Sequence, residues 1–216
     1  TAVFVPQIVR ATGEKDGGSA FISRLFTITS VFLGGLVLIA TIAAPLLVRI
    51  FATSYIGHPA FHVTTLFMRI CLPQIFFMGI FALLAQVANA KDRFGPMMWA
   101  PVLNNLLAMF VFAWYYYKQV THTVETIPTS EIWAIGLSTT LGYVAQALVL
   151  FPVIKRENIK IRFRFDWNDP EIKKSIRLAT WTFIFAAISQ LSYLITVNLS
   201  TSAAIKSLKD GVETGV

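Results

Sequence analysis

Eight cations fall within residues 154–177: Lys155, Arg156, Lys160, Arg162, Arg164, Lys173, Lys174 and Arg177. Guanidinium and ammonium groups pair well with phosphate oxygens, so attraction of an anionic headgroup is the chemistry such a run offers first. In residues 159–167 the apolar Ile159, Ile161, Phe163, Phe165 and Trp167 alternate with Lys160, Arg162, Arg164 and Asp166. That period of two predicts a strand or an extended segment. One face could lie among lipid headgroups while Lys160, Arg162 and Arg164 on the other meet phosphates. Asp169 followed by Pro170 then predicts a helix start, with a capping side chain and proline at the first helical position.

Other chemistries find little support. The segment GEKDGGS at 13–19 has glycines but not the order of a nucleotide-phosphate loop. His58 and His62 are four apart, and three histidines can bind zinc. Pro59 argues against a helical pairing of the first two, and nothing brings His122 to them, so surface histidines are the expectation, with no metal and no cofactor. Cys71 is the single cysteine and excludes an intrachain disulfide framework. The acceptor pattern Asn198-Leu199-Ser200 lies inside a predicted span and is set aside. Arginines interleaved with aromatics could also serve RNA, but long apolar segments argue for a bilayer instead.

Those segments are what must position the cations. Of 216 residues 56% are hydrophobic and only 13% charged, with net charge +7, and the charges sit between apolar blocks. A spanning helix needs about 20 mostly apolar residues. By that rule spans are expected at 25–48, 70–90, 97–117, 132–154 and 178–205, with 1–9 as the end of a truncated helix and 155–177 as a basic loop. The fold class is therefore all-α, a polytopic transmembrane bundle and a fragment of something larger. Lys and Arg are richest before the first span, after the second and after the fourth, which makes that side cytoplasmic. Anionic lipids at this face are the expected neighbours of the cluster. Trp99 near one end of the third span and Trp114, Tyr115, Tyr116 and Tyr117 at the other read as interfacial belts.

Inside the spans the informative residues are uncharged. Ala134, Ser138, Gly142 and Gln146 recur every fourth residue, a stripe that admits a neighbouring helix. Thr182, Ala186, Ser189, Thr196 and Ser200 fall near one face of the last span, with Gln190 and Asn198 adjoining; helix packing or the wall of a hydrated cavity would account for them. Pro73 lies three residues into an uncharged stretch and is expected to bend its helix. Arg69 is placed at the outer interface, where it can snorkel.

Several stretches then carry a resemblance: Phe4 to Pro6, RICLPQIFFMGIFALLAQVANAKDRFGPMMWAPVLNNL from Arg69 to Leu106, FDWNDP from Phe165 to Pro170, and ISQLSYLI from Ile188 to Ile195. Together they resemble the MurJ (MviN) lipid II flippases of the multidrug/oligosaccharidyl-lipid/polysaccharide exporter superfamily. The resemblance implies a transporter rather than an enzyme, a bundle of about fourteen helices in two lobes, and this chain as the end of helix two through helix seven. It implies transfer of the undecaprenyl-pyrophosphate-linked peptidoglycan precursor across the bacterial cytoplasmic membrane by alternating access. The partners it implies are that precursor and the missing N-terminal and C-terminal helices of the same protein.

On this chain the resemblance points to Ser189, Gln190 and Thr196 as cavity or hinge residues, to Asn105 as a helix-contact residue, and to Lys160, Arg162 and Arg164 as attracting cargo headgroups. The family's cargo-binding arginines fall mainly outside the chain. Relatives that use sodium often carry an Asp where Thr196 stands, so coupling to sodium or to membrane potential is left open. The alternatives are an exporter of another lipid-linked polysaccharide or of drugs, and an enzyme acting on polyprenyl phosphates, which would need clustered carboxylates or histidines.

Overall fold

The computed structural model describes residues 8–9, 17–51, 55–57, 59–118 and 127–164, with 177, 180, 181, 184–186, 188–192 and 196. The chain divides into two compact units, residues 1–166 and 167–216. Among the described residues seven helices carry the first unit: α1 (Ser19–Ile42), α2 (Ala44–Phe51), α3 (Ala60–Cys71), α4 (Gln74–Ala90), α5 (Phe94–Tyr117), α6 (Thr129–Leu148) and α7 (Leu150–Arg156). Joined across their breaks, these give four stretches long and apolar enough to cross a membrane: Ser19–Ile42, Ala60–Ala90, Phe94–Tyr117 and Thr129–Arg156. The fifth expected span, 178–205, falls mostly outside the described residues.

Three of the six breaks between consecutive helices, the short ones at Ala43, at Leu72–Pro73 and at Val149, lie at or shortly before a proline. A proline ring displaces the carbonyl four residues back and offers no N–H to the helix ladder. Thus α1 ends before Pro45, and the Ala43 carbonyl accepts both the Leu46 and Leu47 N–H groups at 2.9 and 3.0 Å. The break between α3 and α4 is at Leu72 and Pro73, where Ile75 N–H bonds Leu72 O at 3.0 Å in a tightened turn. The interruption falls at the proline expected to bend this helix, and Leu72 and Pro73 both keep right-handed helical dihedrals. Pro152 is preceded by the break at Val149. Pro101 lies inside α5, which continues through it.

The 31 residues of Ala60–Ala90 run to about 46 Å at ~1.5 Å per residue, against a hydrocarbon core of about 30 Å. Counted from Lys91, the apolar layer is exhausted near Cys71. Arg69, exposed in the last turn of α3, lies beyond the residues that a span counted from Lys91 requires.

Helix α6 is central: α3, α4 and α5 all pack against it, and α1 packs against α4. Its buried residues are Ile132, Gly136, Thr140, Gly142, Gln146 and Ala147. Of the small-residue stripe read from the sequence, Gly142 and Gln146 are buried and Ala134 is exposed. A Cβ on Gly142 would collide with the Asn104 amide of α5, and one on Gly136 would stand 2.8 Å from Ile70 Cγ2. Helix α5 leaves most of its surface open, with Met98, Trp99, Phe110 and Phe112 each about two-thirds exposed or more. Lipid suits such a surface, since apolar side chains meet no penalty there.

Replacing Gly136 by Ala is expected to lower stability by about 1–3 kcal/mol through overpacking against Ile70. A Cβ on Gly35 of α1 would meet nothing within 4 Å, so Gly35→Ala should be neutral or stabilising by up to about 1 kcal/mol. Thermal unfolding of the two variants of the full-length protein in detergent measures the contrast.

Candidate functional site

The cations of residues 155–164 gather with Arg93 at one end of the first unit. Helix α1 starts there, after Gly18 with φ 84°, and carries Ser23 and Thr27 one turn apart. Residues four apart on a helix are separated by about 6 Å along its axis. Residues two apart on an extended chain are separated by about 6.6 Å. The two spacings nearly match, so a pair of helix hydroxyls can serve alternate peptide groups of an extended segment laid beside them.

Residues 159–164 are that segment, in neither helix nor sheet. Ser23 Oγ donates to Lys160 O at 3.0 Å and accepts the Arg162 N–H at 3.1 Å. Thr27 Oγ1 donates to Ser23 O at 2.8 Å and accepts the Arg164 N–H at 2.9 Å. Each hydroxyl thus donates once and accepts once, and both side chains are buried. Residues 160, 162 and 164 turn their backbone to α1 while their cationic side chains are exposed. The bonds fall on every second residue of the segment. Ile159 is buried, and Phe163 meets the Phe26 ring edge-on at 5.8 Å while remaining 67% exposed. Phe26 also meets Phe151 of α7 at 6.1 Å.

Two helix ends complete this surface. After α4, Asp92 takes φ 56°, Asp92 N–H bonds Asn89 O at 3.1 Å and Arg93 N–H bonds Ala88 O at 2.9 Å. That is a left-handed cap closing the last carbonyls of the helix, with Asp where glycine is more usual. After α7, Asn158 takes φ 57° and its N–H bonds Lys155 O at 3.1 Å. The two caps are bridged by Arg93 Nε donating to Glu157 Oε1 at 2.7 Å. Among the described residues no carboxylate pairs with Lys160, Arg162 or Arg164.

The remaining site residues stand elsewhere. Ser189, Gln190 and Thr196 belong to the second unit and are exposed in it. Ser189 Oγ donates to Phe185 O at 2.9 Å, and Thr196 Oγ1 to Ser192 O at 2.9 Å. Asn105 is exposed midway along α5, and it is the neighbouring Asn104 that meets α6 at Gly142. His62 is exposed; His58 and His122 lie outside the described residues, as do Phe165 to Ile176 and Thr182, Asn198 and Ser200. Among the described residues no group of three His, Cys, Asp or Glu could hold a metal.

Two polar contacts were not singled out from the sequence. Thr140 Oγ1 of α6 donates to Ile70 O at 2.9 Å, beside the Pro73 break, and Cys71 Sγ stands 3.7 Å from Thr139 Oγ1. The Ser23 and Thr27 contacts were likewise unread. Ser23 and Thr27 flank Arg24, a local signal of a cationic end, whereas Thr140 has no such signal in its own turn, and the partners lie 70 and up to 139 residues away.

Four apolar stretches of spanning length, two of them interrupted at or shortly before a proline, with a cluster of cations at one end, define a multi-pass membrane protein of helical-bundle type. The chain matches the family model described as lipid II flippase MurJ over residues 1–210, and it belongs to that family. It is similar to the probable lipid II flippase MurJ of Rickettsia prowazekii (strain Madrid E), at 22% identity over 87% of this chain and 35% of that protein. Similar proteins of the same name occur in Rhizobium meliloti (strain 1021), at 26% identity over 96% of this chain and 39% of the relative, and in Haemophilus influenzae, at 27% over 89% and 38%. The chain thus spans between 35% and 39% of the length of these curated relatives. The family is one of transporters rather than catalysts. Family and spans together make this a multi-pass protein of the bacterial cytoplasmic membrane.

Thr140→Val should remove the bond to Ile70 O at nearly constant volume and cost on the order of 1 kcal/mol, whereas Thr140→Ser should retain most of it. Comparing the unfolding midpoints of the two variants tests the role of this hydroxyl at the break.

Proposed function

We propose that this chain forms part of a lipid II flippase, which carries the undecaprenyl-pyrophosphate-linked peptidoglycan precursor from the inner to the outer leaflet for cell-wall synthesis. The observation that carries the reading is the family match across residues 1–210 of a chain with four helices of spanning length. Alternating access is the mechanism proposed, since a cargo with a large polar head needs a protected path past about 30 Å of hydrocarbon. Helices broken near membrane depth, as at Pro73, suit a bundle that rocks between two states.

In this reading Lys160, Arg162 and Arg164 give the cytoplasmic end its attraction for anionic headgroups, those of lipids and of the approaching cargo alike. Ser189, Gln190 and Thr196 supply neutral hydroxyl and amide groups to a cavity wall or hinge, and Asn105, exposed on α5, offers a polar contact to helices outside this chain. The cargo's own arginine partners, other helices of the same protein, and an ion or potential that drives the cycle belong to the proposal for the whole transporter.

The test is complementation. The full-length protein is expressed in cells depleted of their own lipid II flippase, and outer-leaflet lipid II is assayed together with survival. Rescue of both is the expected result. Stable, membrane-inserted protein without rescue would point to another exported lipid or a drug. K160Q/R162Q/R164Q in the same protein is expected to reduce lipid II transfer several-fold at unchanged protein level, and undiminished transfer would remove these cations from the mechanism.

A further inference from the structure

The hydroxyl pair on α1 does more than hold a loop. An extended chain offers its peptide N–H and C=O groups to one side at residues i, i+2 and i+4, and to the opposite side at the residues between. A slip of one residue therefore exchanges the two sets of side chains. Lys160 O, Arg162 N and Arg164 N are the groups taken up by Ser23 and Thr27. In the slipped register Ile161 and Phe163 would present their peptides to α1, and the cations would exchange places with the apolar set.

We propose that Ser23 and Thr27 are positioning residues for the cationic segment: their hydroxyls, one helical turn apart, lock residues 159–164 in the register that presents Lys160, Arg162 and Arg164 together to phosphate groups at the membrane surface. The proposal rests on the reading of these three cations as headgroup-attracting.

Three observations carry it. Both hydroxyls are buried and fully used as donor and acceptor, so neither serves only its own helix. The bonds fall on alternate residues of the segment, as a register lock requires. The register seats Ile159 in the interior and sets Phe163 against Phe26, and among the described residues it leaves no carboxylate on the cations it presents. A segment held for packing alone would need the Phe26 and Ile159 contacts but not hydroxyls matched to its peptide spacing. The chemical class that fits the presented face is a phosphate carried on a lipid, since the segment leaves directly from the end of a membrane helix.

The experiment uses the full-length protein in bilayers, in a Cys71→Ala background, with cysteines placed singly at positions 160 to 164. Labelling by a water-soluble maleimide reads the register without involving any lipid. Fast labelling at 160, 162 and 164 and slower labelling at 161 is expected with Ser23 and Thr27 intact. S23A/T27V should flatten that alternation several-fold, while T27S, which keeps the hydroxyl, should preserve it. Retained alternation in S23A/T27V overturns the proposal.

A second arm keeps the native segment and measures the preference of spin-labelled phosphatidylglycerol over phosphatidylcholine for the protein boundary. S23A/T27V should lose the same share of this preference as K160Q/R162Q/R164Q. If S23A/T27V loses the alternation but keeps the preference, the hydroxyls do not position the cations and the proposal fails. If the triple variant itself keeps the preference, the reading of the cations as headgroup-attracting fails instead, and the register result shows which of the two was at fault. Loss of the preference on adding millimolar inorganic phosphate would identify a site for free phosphate and overturn the assignment to a lipid surface.

Discussion

Every part of this structure answers to one constraint: peptide N–H and C=O groups in hydrocarbon must be bonded within the protein, at a cost of several kcal/mol for each one left open. Proline violates it by design, and the chain puts prolines in or beside several of its long apolar stretches. At two of the breaks a carbonyl beside the break finds another partner. Ala43 O takes two N–H groups beyond α1, and Ile70 O takes the Thr140 hydroxyl from a different helix. Pro96 needs no such repair, because it sits in the first turn of α5, where an N–H has no partner in the ladder anyway. Side-chain hydroxyls obey the same rule. Thr41, Thr65, Ser138 and Thr139 each donate to a carbonyl three or four residues back on their own helix.

Repair across helices works only where helices approach closely, and this assigns α6 its role. Gly136 lets the Ile70 side chain come within the space a Cβ would occupy, and four residues on Thr140 reaches the Ile70 carbonyl. Small residue and hydroxyl thus occupy successive turns of one face, the first allowing the approach that the second exploits. Gly142 does the same for α5, where the Asn104 amide fills the missing side chain's place. Without hydrophobic drive between helices in lipid, such close contacts and hydrogen bonds carry much of the cohesion.

How far the sequence reveals all this depends on whether a feature is local. Gaps between charges locate the apolar stretches because hydrocarbon excludes charge, yet α1 begins at Ser19, ahead of Arg24, since a cation at the membrane surface does not stop a helix. The interruption at Pro73 is legible because proline acts on its own turn. The alternation in residues 159–164 is legible from side chains alone. Its partner is not: the hydroxyls that read it lie in a helix 137 and 139 residues earlier, and a Ser and a Thr in an apolar helix look the same whether they bond their own carbonyls or another segment. Asn104 and Asn105 show the limit most simply. Adjacent asparagines differ by 100° around a helix, and only the position of α6 decides which of them is enclosed.

What holds the cationic end together can be decided on magnitudes. The obvious ion pair, Arg93 with Glu157, has its side chains 60% and 22% exposed, and pairs of that kind contribute about 0–1 kcal/mol. Mutual repulsion of the clustered cations works against it. By contrast the segment makes three hydrogen bonds with the α1 hydroxyls, each worth about 1 kcal/mol net. The Phe26–Phe163 contact adds about 0.5–1.5 kcal/mol, and burial of Ile159 adds about 1.5–3 kcal/mol. The neutral contacts therefore outweigh the ionic one several-fold. Charge at this end is cargo for the fold rather than its fastening. That division of labour leaves the cations of residues 160, 162 and 164 free to meet an external phosphate without loosening the segment that carries them.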